Sequence, residues 1–319
     1  MAKPSPPLLS LSGLKIGHAH DAGVKTGVTV LLPDEPALCA VDIRGGGPGT
    51  RETDTLALGG LVDRVHAIVL AGGSVYGLAA ADAVCADLGA RGIGYAAGPP
   101  PTPVSPIVPS AILFDNANGG DKDWGSAPPF RQLGSEALAA ARYTTVEGAV
   151  GAGFGATAGA YPGGFGAASE TVGGLSVTAF IAANPIGSPF LPGTPVPYAW
   201  MYERDGEFGG SCPPAGYRWS EPTDTKLARF AQAGQNTVIG AVTTNAALSS
   251  SDLKRLAIMA QDGLALSVQP SHTPLDGDTI FALSIGEKSA VGPAVLANLG
   301  AAAARCVARA LTRGVLAAQ

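Results

Sequence analysis

Glycine constrains this chain more than any other residue type. It supplies 45 of 319 residues, about twice its usual share of roughly 7 %, and it is bunched. Between 148 and 169 it stands at positions 148, 151, 153, 155, 159, 163, 164 and 166. Such runs make poor helix interiors and weak strands, because glycine loses the most backbone freedom on folding and brings no side chain to pack. They make sense where backbone must approach another backbone or line a site. Hydrophobic residues form 46 % of the chain but aromatics only 6 %, and charged residues 14 % against about 25 % in an average protein. The apolar mass is therefore mostly small aliphatic side chains. Disorder, which needs high charge and low hydrophobicity, is excluded. The net charge is −5 and no basic stripe exists to neutralise phosphates, which argues against a nucleic-acid partner. So dense and weakly charged a chain is expected to form a homo-oligomer.

Membrane and secretory readings fail on composition. The long uncharged stretch 171–202 is broken by several Pro and Gly, which a spanning helix would not carry. The opening MAKPSPPLLSLSG has one Lys and an interrupted apolar run, unlike a signal peptide. Cys39, Cys85, Cys212 and Cys306 show neither CxxC nor metal spacing. They read as reduced, buried thiols of a cytoplasmic protein without a metal site.

Runs rich in β-branched residues predict strands at 27–32, 38–43, 67–71, 175–183, 238–244 and 279–285. Helical spacing appears at 74–88 and at 252–268, the latter with a Ser249/Asp252 capping box, and again from Pro293 onward. This interleaving predicts a single α/β or α+β domain. The Pro-rich stretches 99–109 and 185–197 read as ordered loops, and the polar stretch 202–235 as the best candidate for a flexible or cuttable linker.

Familiar motifs fail one by one. In Val65-His-Ala-Ile-Val-Leu-Ala-Gly-Gly-Ser74 a strand leads through a glycine turn into a helix, but Tyr76 stands where a nucleophile elbow needs glycine. Ser74 therefore reads as a helix cap, with the turn's backbone N–H groups still available to an anion. The run Val41-Asp-Ile-Arg-Gly-Gly-Gly-Pro-Gly-Thr50 misses the dinucleotide fingerprint because Thr50 takes the last glycine position. His18, His20, His66 and His272 form no metal spacing.

One constellation remains. Thr237 stands between the polar stretch and a strongly β run, Asn236-Thr-Val-Ile-Gly-Ala-Val. Alone, such a Thr is explained by β-propensity. Downstream, Asp276-Gly-Asp278 sets two carboxylates around one glycine at the mouth of another strand, which alone is a turn signal. Together they offer a nucleophile and an acid pair at the ends of two strands that a sheet can make neighbours.

With these residues the chain resembles the N-terminal-nucleophile hydrolases of the L-aminopeptidase/D-esterase (DmpA-like, β-aminopeptidase) family. Within it, the threonine-type members that include the nylon-oligomer (6-aminohexanoate-oligomer) endohydrolases look nearest. The resemblance runs from Gly17-His18 through 42–54, 65–82, 106–115, 151–166 and Asn184-Pro-Ile-Gly187 to Asn236-Thr237 and Asp276-Gly-Asp278. It implies an αββα sandwich of two stacked sheets between helix layers. It also implies one hydrolase domain over 1–319, cut by itself at Asn236–Thr237 into chains 1–236 and 237–319, and a tetramer of such pairs. Thr237 would be the nucleophile, its freed α-amine, with a pKa of about 7.7–8.0, the general base. Asn184 would supply an oxyanion-hole amide, and Asp276 and Asp278 would orient the new ammonium and Thr237. The substrate would be a small amide, and no metal or organic cofactor is implied.

Two positions depart from the family. Ala160 stands where many members have a Lys, and Phe114 where the nylon-oligomer enzyme has a Tyr. Both leave an expected substrate pocket, lined also by Gly72 and Gly73, more apolar. Three functions follow as expectations: an amidohydrolase of short oligomers, a β- or D-residue aminopeptidase, and a non-catalytic binder of small molecules.

Overall fold

The computed structural model describes residues 9–10, 12–229, 236–289 and 292–319. Its main strands, in chain order, are β1 (Leu14–Asp21), β2 (Thr26–Pro33), β3 (Ala37–Ile43), β4 (Thr50–Arg51), β5 (Arg64–Val65), β6 (Ile68–Ala71) and β7 (Ser110–Ile112). β8 (Gly164–Val172), β9 (Leu175–Asn184), β10 (Thr237–Ala247) and β11 (Thr279–Ser289) follow. One six-stranded sheet has the order β8-β9-β10-β11-β3-β5, and a five-stranded sheet the order β1-β2-β6-β7-β4. Both are antiparallel except at β10–β11 and β6–β7.

The alternation along each strand explains the layers. In β10 the even positions Val238 and Val242 face the helices α3 (Ser250–Ala265) and α4 (Pro293–Ala317), while Ile239 and Ala241 face the other sheet. The space between the sheets is filled by Phe165, Phe180, Phe281, Ile68 and Leu70. On the far side of the five-stranded sheet, α1 (Ala79–Ala90) and α2 (Phe130–Ala139) cover Val28, Val30 and Val69. Three apolar cores between four layers make the αββα sandwich.

Glycine allows the layers to come this close. A Cβ at Gly166 of β8 would lie 2.0 Å from the Ala310 carbonyl of α4, and one at Gly164 would lie 2.2 Å from the Gly314 carbonyl. At 25 residues, α4 is long and apolar enough to cross a membrane by those measures alone. Its apolar face lies on β8, β9 and α3, and its charges are paired: Arg305 with Glu170, Arg309 with Glu207, and Arg313 with Glu147 and Glu207.

The differences from the sequence reading have local causes. β8, GFGAASETV, carries little β-propensity; its full-length pairing with β9 makes it a strand. The helix α2 contains Gly134, whose Cβ would meet the Ala80 carbonyl at 2.5 Å, so the glycine serves the α1–α2 approach. Ser74 does not cap the helix. Gly73 and Ser74 are both left-handed, with φ of 79° and 54°, a short 3₁₀ turn spans Ser74–Leu78, and α1 starts only at Ala79. Ser249 does cap α3, accepting from the Asp252 N–H. Cys39 and Cys306 are buried, but Cys85 is partly and Cys212 fully accessible. Of the expected linker, 230–235 lie outside the described residues, and the preceding part is anchored where Glu207 meets Arg309 and Arg313.

Gly166→Ala is expected to lower stability by about 1–3 kcal/mol, read as a fall in the urea midpoint with an unchanged m-value, because α4 must lift from β8.

Candidate active site

Thr237 begins β10 and pairs with Asn184, the last residue of β9. By alternation both side chains lie on the face toward the second sheet, Thr237 in line with Ile239 and Asn184 in line with Ala182. Thr237 is 2 % exposed. Its hydroxyl donates to the carbonyl oxygen of Asn236 at 2.5 Å. The same oxygen accepts the Gly277 N–H at 2.9 Å, and the Asn236 N–H donates to the Leu275 carbonyl at 3.0 Å. Beyond the threonine, the Val238 N–H donates to Asp278 Oδ1 at 2.8 Å. The Asn236–Thr237 peptide is thus gripped from both sides by one turn. Position 277 has to be glycine, since a Cβ there would lie 2.5 Å from the Gly47 carbonyl and 2.9 Å from Thr237 Oγ1. The Asn236 carbonyl oxygen thus takes both the Thr237 hydroxyl and the Gly277 N–H.

The two carboxylates are fully buried and differently held. Asp278 Oδ2 accepts from His272 Nδ1 at 2.7 Å and from the His272 N–H at 3.2 Å. Asp276 accepts from the Ile186 N–H through Oδ1, and from the Thr273 N–H and hydroxyl through Oδ2 at 2.9 and 2.6 Å. Burial, followed by the charge of Asp278, pushes the Asp276 carboxyl up from its ordinary value. The glycine loop at 45–49 backs this turn: Gly46 and Gly47 donate to the Thr273 and Asp276 carbonyls at 3.1 and 2.8 Å.

Asn184 is engaged on both ends. Its Nδ2 donates to the Phe114 carbonyl at 2.9 Å, and its Oδ1 accepts from the Thr157 N–H at 3.0 Å. The backbone donor on the Asn236 carbonyl is therefore Gly277 and not the Asn184 amide. A residue that the sequence did not single out completes the cluster. Lys226 Nζ donates to Asn184 Oδ1 at 3.1 Å and to the Asn184 carbonyl at 3.2 Å. Burial pulls its pKa from 10.5 down to about 7, with Asp276 opposing the shift. Lys226 sits in the polar stretch that precedes Thr237, where one Lys among several charges gave no signal. Its position is a matter of tertiary folding: the Lys226 N–H is held by the Ile186 carbonyl, and the Asp224 carbonyl by Ala160 N–H.

A cavity of about 660 Å³ opens beside this cluster. Phe114 and Ala160 line it as expected, with Phe154, Ala156, Ile186 and Leu275 adding apolar wall, and Lys226 and Asn236 forming its reactive side. Gly72 and Gly73 do not line it. They sit behind Asp115, whose Oδ1 accepts the Gly73 N–H at 2.7 Å, and a Cβ at Gly72 would lie 2.2 Å from Asp115 Oδ2. Asp115 is the one carboxylate among the described lining residues, and Thr26 and Gly73 occupy it.

Comparison with known proteins decides the family: the Peptidase family S58 profile matches residues 8–319. The chain belongs to peptidase family S58. It is 41 % identical to a Mycobacterium bovis protein named an uncharacterized aminopeptidase, over 98 % of this chain and 94 % of that one. It is 31 % identical to a 6-aminohexanoate-oligomer endohydrolase of Agromyces sp., over 86 % of this chain and 74 % of that one. In structure it is similar to an L-aminopeptidase D-Ala-esterase/amidase from Ochrobactrum anthropi, described as a variant of the Ntn-hydrolase fold. That likeness has a TM-score of 0.70 and 21 % identity, covering 97 % of this chain and 85 % of the other. This S58 protein is accordingly a hydrolase of the peptidase and amidase class with the Ntn-hydrolase fold.

In this S58 hydrolase, Asp278→Asn keeps an acceptor for the Val238 N–H but removes the charge. Amide-hydrolysing activity is expected to fall by about 10²-fold, and the melting temperature to drop as well, because the amide nitrogen replaces the oxygen that accepts from the His272 N–H and Nδ1.

Proposed function

We propose that this S58 hydrolase is a self-processing N-terminal-threonine amidohydrolase of short oligomers. The observation that carries the reading is the Thr237 hydroxyl at 2.5 Å from the Asn236 carbonyl oxygen, with Gly277 N–H on that oxygen. Thr237 Oγ attacks the Asn236 carbonyl carbon, and the peptide becomes an ester. Hydrolysis of the ester leaves Thr237 with a free amine. That amine, with an ordinary pKa of about 7.7–8.0, then takes the proton of its own hydroxyl when a substrate amide enters the cavity. Asp276 and Asp278 hold the amine and the strand start. Asn184 stabilises the oxyanion once its amide is turned to the substrate. Cutting yields chains 1–236 and 237–319 of one hydrolase domain.

The cavity wall supports amide bonds inside an oligomer over removal of a single N-terminal residue. Its one carboxylate, Asp115, is buried and engaged, whereas Lys25 and Lys226 present amines. A substrate's terminal ammonium finds no free acid on the described wall. The apolar remainder suits a polymethylene or small-residue chain, and 6-aminohexanoate oligomers are the first substrates to try. The aminopeptidase reading draws on the names of the mycobacterial relatives, and the product assay separates the two.

Mass spectrometry of the purified protein is expected to show fragments of about 23 and 8 kDa, the smaller beginning at Thr237, and Thr237→Ala is expected to stay whole. An intact chain in an active preparation sinks the reading. Cleavage of N-acetylated 6-aminohexanoate oligomers at a rate similar to that of free ones is expected of an endo-acting enzyme. Strict dependence on a free amine would assign aminopeptidase activity instead.

A further inference from the structure

The uncut chain poses a problem that the mature enzyme does not. Before cleavage the nitrogen of Thr237 is a peptide nitrogen and has no basicity, so the first attack needs another base. The two nearest acids are engaged. Both oxygens of Asp278 accept hydrogen bonds, from Val238 and His272. Both oxygens of Asp276 do as well, from Ile186 and Thr273. His272 reaches Asp278 through Nδ1. A third ionisable group in the cluster is the Lys226 amine. Lys226 is 8 % exposed, and Nζ meets both the carbonyl and the side-chain oxygen of Asn184, the residue that pairs with Thr237 in the β9–β10 ladder.

We propose that Lys226 is the general base of self-cleavage, a position-shifted substitute for the amine that Ala160 does not carry. This rests on the self-processing reading above. A neutral amine has two N–H donors and one lone pair. Two donors on the two Asn184 oxygens leave the lone pair uncommitted, and in the proposed step the Thr237 hydroxyl turns from the Asn236 carbonyl oxygen to meet it, directly or through one water. Nζ takes the hydroxyl proton as Oγ bonds to the Asn236 carbonyl carbon, and the carbonyl electron pair moves onto the oxygen under the Gly277 N–H. Collapse breaks the bond to the Thr237 nitrogen, which receives the proton from Nζ and leaves as a free amine. Water then hydrolyses the ester. Protons and electrons balance, and no co-reactant beyond water is used.

Burial favours the neutral amine that this role needs, and the Asp276 charge opposes it. Asp276 faces it from the turn and Asp224 stands on its own segment. Lys25, Asp115 and Tyr161 line the same cavity. With a pKa of about 7 the amine is half neutral at pH 7. An ordinary lysine would be neutral in roughly one molecule in three thousand at that pH.

The test holds the precursor uncut by cell-free synthesis at pH 5.5, then jumps the pH and follows the fragment that begins at Thr237. The expected wild-type rate climbs about tenfold per pH unit below about pH 7 and flattens above it. Lys226→Met is expected to cut at least about 100-fold more slowly at pH 7.5 and to lose that climb. Lys226→Arg keeps length and charge but cannot release its proton, so it is expected to fold, by melting temperature and near-UV dichroism, and to stay uncut. Added ethylamine is expected to restore part of the rate to Lys226→Ala, which a purely structural lysine would not allow. Wild-type rates in Lys226→Arg, or an unchanged pH profile in Lys226→Met, overturn the assignment while leaving self-processing standing. A wild-type chain that never cuts overturns both.

Discussion

The site depends on one grip. The turn over 275–278 holds the Asn236–Thr237 peptide by the Leu275 carbonyl and the Gly277 N–H on one side of the threonine, and by the Asp278 carboxylate on the other. The turn is placed by β11, which starts at Thr279 and runs parallel to β10 with Thr279 beside Ile239. Strand pairing thus converts a distance of some forty positions in sequence into direct contact. Everything else at the site supports this grip. The loop at 45–49 braces the turn through Gly46 and Gly47, and Thr273 and His272 hold the two carboxylates.

The scarcity of charge acquires a physical meaning here. In a chain with 14 % charged residues, three ionisable groups, Lys226, Asp276 and Asp278, are buried among the residues that flank Thr237 and its strand partner Asn184. Burial favours the neutral form of Asp276 and of Lys226, while Asp278, which adds to the shift of Asp276, lies in hydrogen bonds from His272 and Val238. A buried amine near its titration point on both oxygens of Asn184, the strand partner of Thr237, is maintained against the free energy of burying charge. A separate set of charges, Glu207 with Arg309 and Arg313, sits at the far side of the six-stranded sheet and holds a loop to α4.

Much of the fold was legible in the sequence. The β-branched runs at 27–32, 38–43 and 238–244 fall inside β2, β3 and β10, and Ser249 caps α3 as its spacing with Asp252 suggested. The glycine-rich β8 was not legible as a strand, because its conformation comes from pairing with β9 and from the approach of α4 rather than from its own residues. Ser74 was misread for a similar reason. A cap assumes a regular helix start, and here two left-handed residues precede a 3₁₀ turn. Gly72 and Gly73 looked like a ligand-facing turn, yet Asp115 lies between them and the cavity, a residue forty positions away.

By itself the sequence determined which chemistry the chain holds: a hydroxyl at the start of a strand, two carboxylates around a glycine, and too few charges for these to be a solvated surface. Periodicity and turn residues encode such features locally. Only the tertiary structure decided that Gly277 donates to the Asn236 carbonyl, that the Asn184 amide is engaged with Phe114, and that the Lys226 amine lies on the oxygens of Asn184. Those depend on register across the sheet and on which backbone can come within hydrogen-bonding distance. Glycine abundance foretold close approaches in general, and packing alone selected the partners.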